Sequence, residues 1–503
     1  MKQFLLGIDI GTSACKIAIF NLKGEVIASK SEEYGLYYPG PGYVEQNPQE
    51  WWEAVCKAIR STLQEAGIRG DEIAGIGVDG QSWSAIAIDK QGKVLCNNPI
   101  WMDTRADAIC QRLNEKIGSD KIFHLAGNSL QASYVTGKIL WYQENLPEVY
   151  ERIDKILQSN SFIVYRLTGE LSQDKSQGYG FHCFDMRTGT WDLDMCEELG
   201  IPTRFLPKIY DCHQIVGYVT ADAASLTGLA PGIPVVAGGL DAACGTLGAG
   251  VINASETQEQ GGQAGGMSIC IDEYCADPKL ILSFHVVPNS WLLQGGTTGG
   301  GGVMRWFERE FAEYEREEAK KCGKSSFDLL NELAQEVHPG SDGVIFLPYM
   351  AGERSPIWDV HAKGVYYGLD YGKTKGHFVR SAMEGVAYSL RHNLELAKSV
   401  GAKVDEMRAM GGAANSLLWT QIKSDVTGIP IAVPASDTAT TLGAAILAGV
   451  GVGLYKNFEE AVSMTVQVRR YHTPNMENHK VYEQNYQIYL ELYNNLKNTM
   501  KKA

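Results

Sequence analysis

The sequence of 503 residues lacks paired cysteines and long apolar runs. Its 11 cysteines are scattered from Cys15 to Cys322 without a Cys-x-x-Cys pair, which disfavours a disulfide framework and a zinc site. No stretch approaches the ~20 apolar residues of a membrane span, and the apolar run at 4–10 is too short for a signal peptide. We therefore expect a cytoplasmic protein with reduced thiols and no membrane partner.

The sequence also lacks an excess of basic charge. It has 45 Lys and Arg against 59 Asp and Glu, a net charge of −14 at pH 7. This balance disfavours a nucleic-acid groove, which attracts Lys- and Arg-rich surfaces. It is compatible with a small phosphorylated ligand, because backbone N–H groups and a Mg²⁺ ion hold phosphates locally.

What is present is the pattern of an α/β protein. Strand-like runs at 4–10, 16–20 and 25–29, separated by turns, predict an antiparallel meander. Asn47 and Pro48 then begin a helix that Gly67 ends. Strand-like runs at 73–78 and 85–88 bracket a polar loop at 79–84.

The second half of the chain contains further glycine clusters, at 261–266 and 295–302. Helical patterns occupy 374–400 and the residues after Gly411, and a Tyr- and Lys-rich amphipathic run at 482–500 predicts a surface helix. We predict two α/β domains, 1–247 and 248–503.

Two common nucleotide motifs are excluded by their spacing. Gly372-Lys373-Thr374 resembles the end of a P-loop, but Tyr367 stands where that motif requires glycine. The glycines at 7–13 lead into another strand, whereas the dinucleotide-binding fingerprint leads into a helix.

The first hairpin offers a different phosphate site. Its turn presents the N–H and hydroxyl groups of Gly11, Thr12 and Ser13, and Asp9 lies on the preceding strand, where it could bind a metal ion. The alternative is a plain hairpin in which Asp9 bonds to its own turn.

Five motifs in order carry a resemblance to a known family. They are residues 7–16, Trp51-Trp52, 101–105, 239–243 and 411–415. Together they resemble the FGGY carbohydrate kinases, and most closely the xylulokinases among them. The resemblance implies two ribonuclease-H-like (actin-type) ATPase domains flanking a cleft, with ATP and Mg²⁺ as cofactors. It also implies transfer of the ATP γ-phosphate to a ketopentose such as xylulose, and a homodimer.

Asp241 is the candidate general base. It follows an apolar strand and opens a helix of small residues, whose dipole should keep the carboxylate ionised. The alternative from the pattern alone is a helix N-cap. The resemblance places the family's catalytic aspartate at Asp241 and its metal-associated carboxylate at Asp9.

The resemblance also implies the nucleotide-binding residues: Gly262 and Gln263 in a second phosphate loop, Gly301 and Arg305 at the nucleotide edge, and Gly411, Gly412 and Asn415 near the base and ribose. Two of them depart from the family. Gln263 stands where Thr is usual, and Arg305 where many relatives have Gln. The alternative for 261–266 is a flexible hairpin turn.

The candidate residues for binding the acceptor sugar are Gln81, Ser82 and Trp83 in the loop at 79–84, together with Asp103 and Asp241. Xylulokinases carry Gln-Met-His-Gly where this loop has Gln81-Ser82-Trp83-Ser84, and Asn where this chain has Ala242. The altered loop leaves another ketose, or a polyol or sugar acid such as ribulose, gluconate or glycerol, as an alternative substrate. Trp83 could instead be a core residue, and Asp103 could form only a structural ion pair with Arg105.

Two other classes of function remain as alternatives. One is an actin-like ATP-binding structural protein, which would not need the sugar-type loop at 81–84. The other is a sugar-sensing regulator that binds DNA. The net charge of −14 disfavours DNA binding and therefore this alternative.

Overall fold

The computed structural model of the chain describes residues 3–435 and 438–502. They form two compact units, the first made of 3–252, 272–292 and 438–467 and the second of 253–271, 293–435 and 468–502. The units therefore interleave along the chain. The division into domains at residues 247 and 248 stays a prediction.

The strands of the described residues are short, and few exceed seven residues. In chain order they are β1 Phe4–Ile10, β2 Ala14–Asn21, β3 Val26–Glu33, β4 Glu45–Gln46, β5 Ile73–Gly80, β6 Ile86–Ile88, β7 Asn98–Pro99, β8 Lys155–Leu157, β9 Ser172–Asp174, β10 Phe184–Asp185, β11 Thr190–Trp191, β12 Lys208–Tyr210, β13 Ile215–Tyr218, β14 Pro234–Val236, β15 Gly239–Leu240, β16 Glu256–Gly261, β17 Gly265–Ile271, β18 Ile281–Phe284, β19 Trp291–Thr297, β20 Ile345–Leu347, β21 Val365–Tyr367, β22 Glu406–Met410, β23 Ile431–Pro434 and β24 Val468–His472.

The α-helices of the described residues range from six to 25 residues in length. They are α1 Pro48–Ala66, α2 Asp107–Leu113, α3 Ser119–Ala126, α4 Val135–Asn145, α5 Pro147–Arg152, α6 Ser159–Thr168, α7 Leu193–Leu199, α8 Ala221–Thr227, α9 Asp241–Gly248, α10 Gly301–Phe311, α11 Glu313–Cys322, α12 Ser326–Gln335, α13 Lys375–Ser399, α14 Leu417–Thr427, α15 Ala439–Gly451, α16 Phe458–Thr465 and α17 Met476–Met500.

The first unit is built on a mixed sheet with the strand order β3-β2-β1-β5-β14-β13. β1, β2 and β3 form the predicted antiparallel meander, and β5 joins β1 in parallel. The predicted helix start is also confirmed, because the Asn47 side chain accepts the N–H of Gln49 and Gly67 ends α1 in the left-handed conformation. Helix α1 buries Trp51 and Trp52 in the core beside the sheet.

Helix α15 packs unusually closely on this sheet. A Cβ atom on Gly7 or Gly77 would lie 2.1 or 1.9 Å from a carbonyl oxygen of α15. A Cβ atom on Gly443, within α15, would lie 1.9 Å from the carbonyl oxygen of Cys244 in α9. Glycine at these positions is what allows the backbones to approach.

The second unit repeats the strand order of the first. The second sheet runs β18-β19-β17-β16-β22-β23-β24, with β16 antiparallel to β17 and parallel to β22. In both sheets, five neighbouring strands, β3-β2-β1-β5-β14 and β19-β17-β16-β22-β23, take the order 3-2-1-4-5 when they are numbered along the chain. This order is the ribonuclease-H-like arrangement, so the predicted α/β fold class is confirmed.

The predicted helical patterns of the second half correspond to α13, α14 and α17, which contribute to the core of the second unit. The helical pattern at 374–400 is α13, and the residues after Gly411 form a 3₁₀ turn and then α14. The predicted surface helix at 482–500 begins earlier, at Met476, and one of its faces is not at the surface. Its Tyr482, Tyr486 and Tyr489 are 0–1% exposed, because they pack against α13 and the neighbouring strands.

Helices long and apolar enough to cross a bilayer are absent from 3–435 and 438–502.

Candidate active site

The turn predicted to bind phosphate, Gly11 to Ser13, lies between β1 and β2. The indole Nε1 of Trp101 donates to Thr12 Oγ1 over 3.0 Å, so the hydroxyl proton of Thr12 stays available for another acceptor. The amide of Gln46 donates to the Thr12 carbonyl oxygen over 2.8 Å and fixes the turn from behind. Binding of phosphate by this turn stays a prediction.

Two carboxylates lie side by side below this turn, Asp9 on β1 and Asp79 on β5. Asp79 is fully buried, and no N–H or O–H group of the described residues donates to either of its oxygens. Burial, reinforced by the charges of Asp9 and Asp241, raises the pKa of Asp79 well above its usual range. Burial also raises the pKa of Asp9, against the opposing charge of Lys16.

Asp241 is the first residue of α9, directly after β15. The N-cap is Leu240, so the N-cap alternative for Asp241 is wrong; its Oδ1 instead accepts the neighbouring N–H of Ala242 over 2.6 Å. The expected effect of the helix dipole, which favours the ionised carboxylate, is opposed by the surroundings of Asp241. Burial and the charge of Asp9 raise the pKa of Asp241 to about 7.

A buried polar network fixes the strand end that carries Asp241. Ser176 Oγ accepts the N–H of Leu240 over 2.9 Å and donates to Asp174 over 2.6 Å. Asn160 links the other carboxylate oxygen of Asp174 to the carbonyl of Ala237. These contacts fix the backbone on which the candidate base lies.

The carboxylates of the first unit fit a Mg²⁺ site. Magnesium in kinases is usually held by one or two carboxylates together with substrate phosphates and water. Asp9 and the donor-free Asp79 supply that set. No group of three or more His, Cys, Asp and Glu side chains suited to a metal occurs in the part of the chain that the structure describes, so an all-protein cage is not formed there.

The acceptor loop begins at the end of β5. Gln81 is 1% exposed, and its Nε2 donates to Gln46 Oε1 over 2.7 Å, which connects it to the phosphate turn. Ser82 Oγ accepts the phenol of Tyr179 over 3.3 Å. The Gln81 carbonyl accepts Ser159 Oγ over 2.8 Å, so the loop is fixed from the side of α6.

Trp83 lies in an aromatic cluster and is half-buried. Its ring stacks on Tyr134 with centroids 4.1 Å apart and meets Tyr179 edge-on at 5.8 Å. His182 extends the cluster behind Tyr134. The backbone of Trp83 has φ of 61°, an uncommon conformation for a bulky residue. Trp83 is thus neither fully buried nor free, and its contact with a sugar stays a prediction.

Asp103 and Arg105 form the buried ion pair that the sequence left as an alternative. Arg105 donates to both oxygens of Asp103 and to Glu45, and its guanidinium lies over the rings of Tyr43 and Trp141. The side chains of Arg105 and Asp103 are 2% and 0% exposed. The observed contacts of Asp103 are structural, and its role as a sugar ligand stays untested.

A second buried cation, Lys138 on α4, holds the acceptor loop. Its Nζ donates to the carbonyl oxygens of Trp83 and Ile100 over 2.7 and 2.9 Å. Burial lowers the pKa of Lys138 to about 7, against the opposing charge of Asp103. The two hydrogen bonds of Lys138 Nζ fix the backbone of the loop.

The second unit contains a cavity of about 350 Å³, a size that suits a nucleoside. Gly262, Gly301, Arg305, Gly412 and Asn415 line it, so the structure brings together most of the predicted nucleotide residues. Lining residues that were not predicted include Phe327, Asn331, Met383, Ser416 and Trp419.

Gly411 and Asn415 delimit the turn after β22. Gly411 has φ of 84°, and a Cβ atom there would lie 2.9 Å from the Gly261 carbonyl oxygen. Arg469 donates to Asn415 Oδ1 over 2.6 Å, which leaves the amide N–H₂ of Asn415 free to donate to a ligand. Ser416 Oγ donates to Asn331 across the cavity wall over 3.1 Å.

Gln263 and Arg305, the two departures from the family pattern, contact each other. Arg305 donates to Gln263 Oε1 through Nε, over 3.1 Å, and through Nη2. The turn between β16 and β17 is a hairpin turn that two backbone hydrogen bonds connect to α10. Whether it binds phosphate or is only a flexible turn stays open.

Among the residues of the first unit that sequence reasoning missed are Asp79, Tyr134 and Tyr179. Asp79 could have been found, because parallel strands at 4–10 and 73–80 place it beside Asp9. The two tyrosines come from distant segments, and no local pattern indicates that they meet Trp83.

Comparison with known proteins gives the family. The models of the N-terminal and C-terminal domains of the FGGY family of carbohydrate kinases match residues 4–248 and 273–452. The chain is 32% identical to a xylulose kinase of Staphylococcus epidermidis over 501 residues, 99% of this chain and 98% of that protein. It is 31% identical to a gluconokinase of Bacillus subtilis over 501 residues, 99% of this chain and 97% of that protein.

Solved structures agree with these matches. The crystal structure of xylulose kinase from Rhodospirillum rubrum superposes with a TM-score of 0.89 at 28% identity, covering 99% of this chain and 100% of that one. The chain belongs to the FGGY family of carbohydrate kinases.

Proposed function

We propose that the chain transfers the γ-phosphate of ATP to a hydroxyl group of an open-chain ketopentose of the xylulose type, with Asp241 as the general base. The observation that carries the proposal is the state of Asp241. Its carboxylate begins a helix of small residues, accepts one backbone N–H group, and has a pKa raised to about 7. A general base is most effective when its pKa lies near the working pH.

The reaction needs few chemical groups from the protein. Asp241 accepts the proton of the sugar hydroxyl while the hydroxyl oxygen of the sugar forms a bond to the γ-phosphorus. The bond from that phosphorus to the bridging oxygen of the β-phosphate breaks, and ADP is released. The N–H and hydroxyl groups of Gly11, Thr12 and Ser13 would hold phosphate oxygens. Mg²⁺, held by Asp9 with Asp79 beside it, would neutralise charge on the phosphates.

The acceptor loop supports a neutral sugar. Trp83 and Tyr134 offer aromatic faces to a carbon skeleton, and Ser82 and Tyr179 offer hydroxyl groups. The two cations packed around the loop are already occupied, because Lys138 bonds to backbone carbonyls and Arg105 to Asp103 and Glu45. A sugar carboxylate would therefore find neither of them available.

A sugar acid is the second candidate, since the chain is about as similar to gluconokinases as to xylulose kinases. An ADP-release assay over D-xylulose, both ribuloses, gluconate, glycerol and glucose separates the two. We expect the highest kcat/KM with a ketopentose. A higher value with gluconate would contradict the neutral acceptor, and equal ADP release without any sugar would contradict the kinase itself.

The homodimer and the cytoplasmic location stay predictions. Light scattering after size-exclusion chromatography measures the first.

A further inference from the structure

The contact between Arg305 and Gln263 lies at the edge of the cavity in the second unit. Both side chains are exposed, and the backbone of Gly262 and the side chain of Arg305 line the cavity. Within the described residues, no carboxylate forms an ion pair with Arg305. An arginine that lines a cavity without an anionic partner is suited to bind an anionic ligand there.

The backbone around this pair also favours an anion. The carbonyl oxygens of Gly262 and Gln263 point to α10, where they accept the N–H groups of Gly301 and Gly302 over 2.7 and 3.0 Å. These bonds occupy the first donors of the helix. The N–H groups of 262–264 donate to no backbone carbonyl of the described residues, so the turn presents donors on its other side.

The Gln263 side chain lies across the first turn of α10. A Cβ atom on Gly302 would lie 2.2 Å from Gln263 Nε2 and 2.8 Å from the Gln263 carbonyl oxygen, so glycine at 302 leaves room for this arrangement. Gln263 Oε1 accepts two N–H groups of Arg305. The arginine retains Nη1 and one further N–H of Nη2 for a ligand.

The cavity has a different chemical character away from this pair. Trp419 and Met383 are buried lining residues that contact each other through the indole N–H and a backbone carbonyl, and Asn331 and Ser416 are joined by a hydrogen bond. These groups suit an uncharged, planar base. The charged group and the free backbone donors suit the phosphates.

We propose that Gln263 is a positioning residue that holds the Arg305 guanidinium against the phosphates of the bound nucleotide, so that the two side chains act as one unit. The inference rests on the proposed function in taking ATP as the ligand. It assigns Arg305 to the polyphosphate and not to the base, and it gives Gln263 no direct contact with phosphate.

Calorimetric titration with ADP and with adenosine, in the absence of sugar, tests the pair. We expect Arg305→Gln to weaken ADP binding about tenfold and adenosine binding less than twofold. Gln263→Ala should weaken ADP binding about threefold in the wild type and not at all in the Arg305→Gln background. Arg309→Gln, which removes an exposed charge one turn further along α10, is the matched control and should leave both affinities unchanged.

Two results would overturn the inference. Equal losses for ADP and adenosine in Arg305→Gln would place the arginine at the base. An unchanged effect of Gln263→Ala in the Arg305→Gln background would show that the two side chains act independently. Because the titrations contain no sugar, a wild type without sugar-dependent turnover would contradict the proposed function, while the ADP measurements would still decide this inference.

Discussion

Asp241 combines a partly buried carboxylate with a neighbouring negative charge at the start of a helix. Replacing it with Asn keeps the shape and removes the proton acceptor. We expect Asp241→Asn to lower sugar-dependent kcat by about 10²–10⁴-fold, the usual contribution of a general base, and to leave ADP affinity within several-fold. Asp222→Asn, at the start of α8, is the control and should retain wild-type turnover. More than a tenth of wild-type turnover in Asp241→Asn would contradict the assignment.

The raised pKa of Asp241 also sets a pH dependence. The base must be ionised to act, so kcat/KM for the sugar should fall below about pH 7, with a slope approaching one decade per pH unit. A profile that stays flat from pH 8 to pH 5 would show that another group accepts the proton.

The raised pKa of Asp241 also makes the stability of the fold depend on pH. Activity should rise with pH, whereas stability should fall. Between its usual pKa of 3.8 and about 7, Asp241 is protonated in the folded chain and ionised in the unfolded chain, so the folded state binds more protons. Raising the pH through this range therefore destabilises the fold. Asp241→Asn is neutral throughout, and we expect it to raise Tm by several degrees at pH 8 and by less at pH 5. The reverse order would contradict the raised pKa.

Asp9 is expected to act through the metal. Removing its carboxylate in Asp9→Ala should raise the Mg²⁺ concentration that gives half-maximal activity by about tenfold or more, since Mg²⁺ in kinases is held by only one or two carboxylates. A Mg²⁺ titration identical to that of the wild type would remove Asp9 from the metal site.

Among the elements, we expect the loop after β5 to carry the substrate preference. Trp83→His replaces a bulky ring in the stack with Tyr134, and histidine tolerates the left-handed backbone of this position better than most residues. We expect the ratio of kcat/KM between two sugars to change at least tenfold, which changes their ranking, while KM for ATP changes less than twofold. An unchanged ranking would assign Trp83 to the core.

The close packing of α15 on β5 is a second feature at this scale. Gly77→Ala would place a methyl group 1.9 Å from the Ala444 carbonyl oxygen, so backbone has to move, at a cost of about 1–3 kcal/mol or more. We expect Tm to fall by about 2–5 °C. Gly40→Ala, where the nearest atom is 3.8 Å away, is the control and should stay near the wild-type Tm. An equal Tm in both variants would contradict the packing.

Local patterns in the sequence predict the elements whose signals are local. The hairpin at Gly11, the capped start of α1 and the small-residue helix after Asp241 each depend on neighbouring residues. The pKa of Asp241, the ion pair of Asp103 and the aromatic cluster around Trp83 depend on burial and on contacts between distant segments. The sequence therefore indicates the candidate site residues, but not the electrostatic state of their side chains.

At the scale of the whole molecule, two units with the same strand order carry different parts of the candidate site. The first contains the turn at Gly11 to Ser13, the carboxylates and the loop at 81–84, and the second contains the nucleoside-sized cavity. We expect the overall charge of −14 not to oppose binding of anionic ATP, because the turn donors, Arg305 and a bound Mg²⁺ would act locally.

The central claim is that this chain phosphorylates an open-chain ketopentose with Asp241 as the base. The most direct measurement incubates the wild type and Asp241→Asn with ATP, Mg²⁺ and D-xylulose or another ketopentose, and quantifies ADP and sugar monophosphate by mass spectrometry. The account predicts equal amounts of both products from the wild type and at least 100-fold less from the variant. Sugar monophosphate formed at similar rates by both proteins, or formed by the wild type from glucose in preference to every ketopentose, would contradict it.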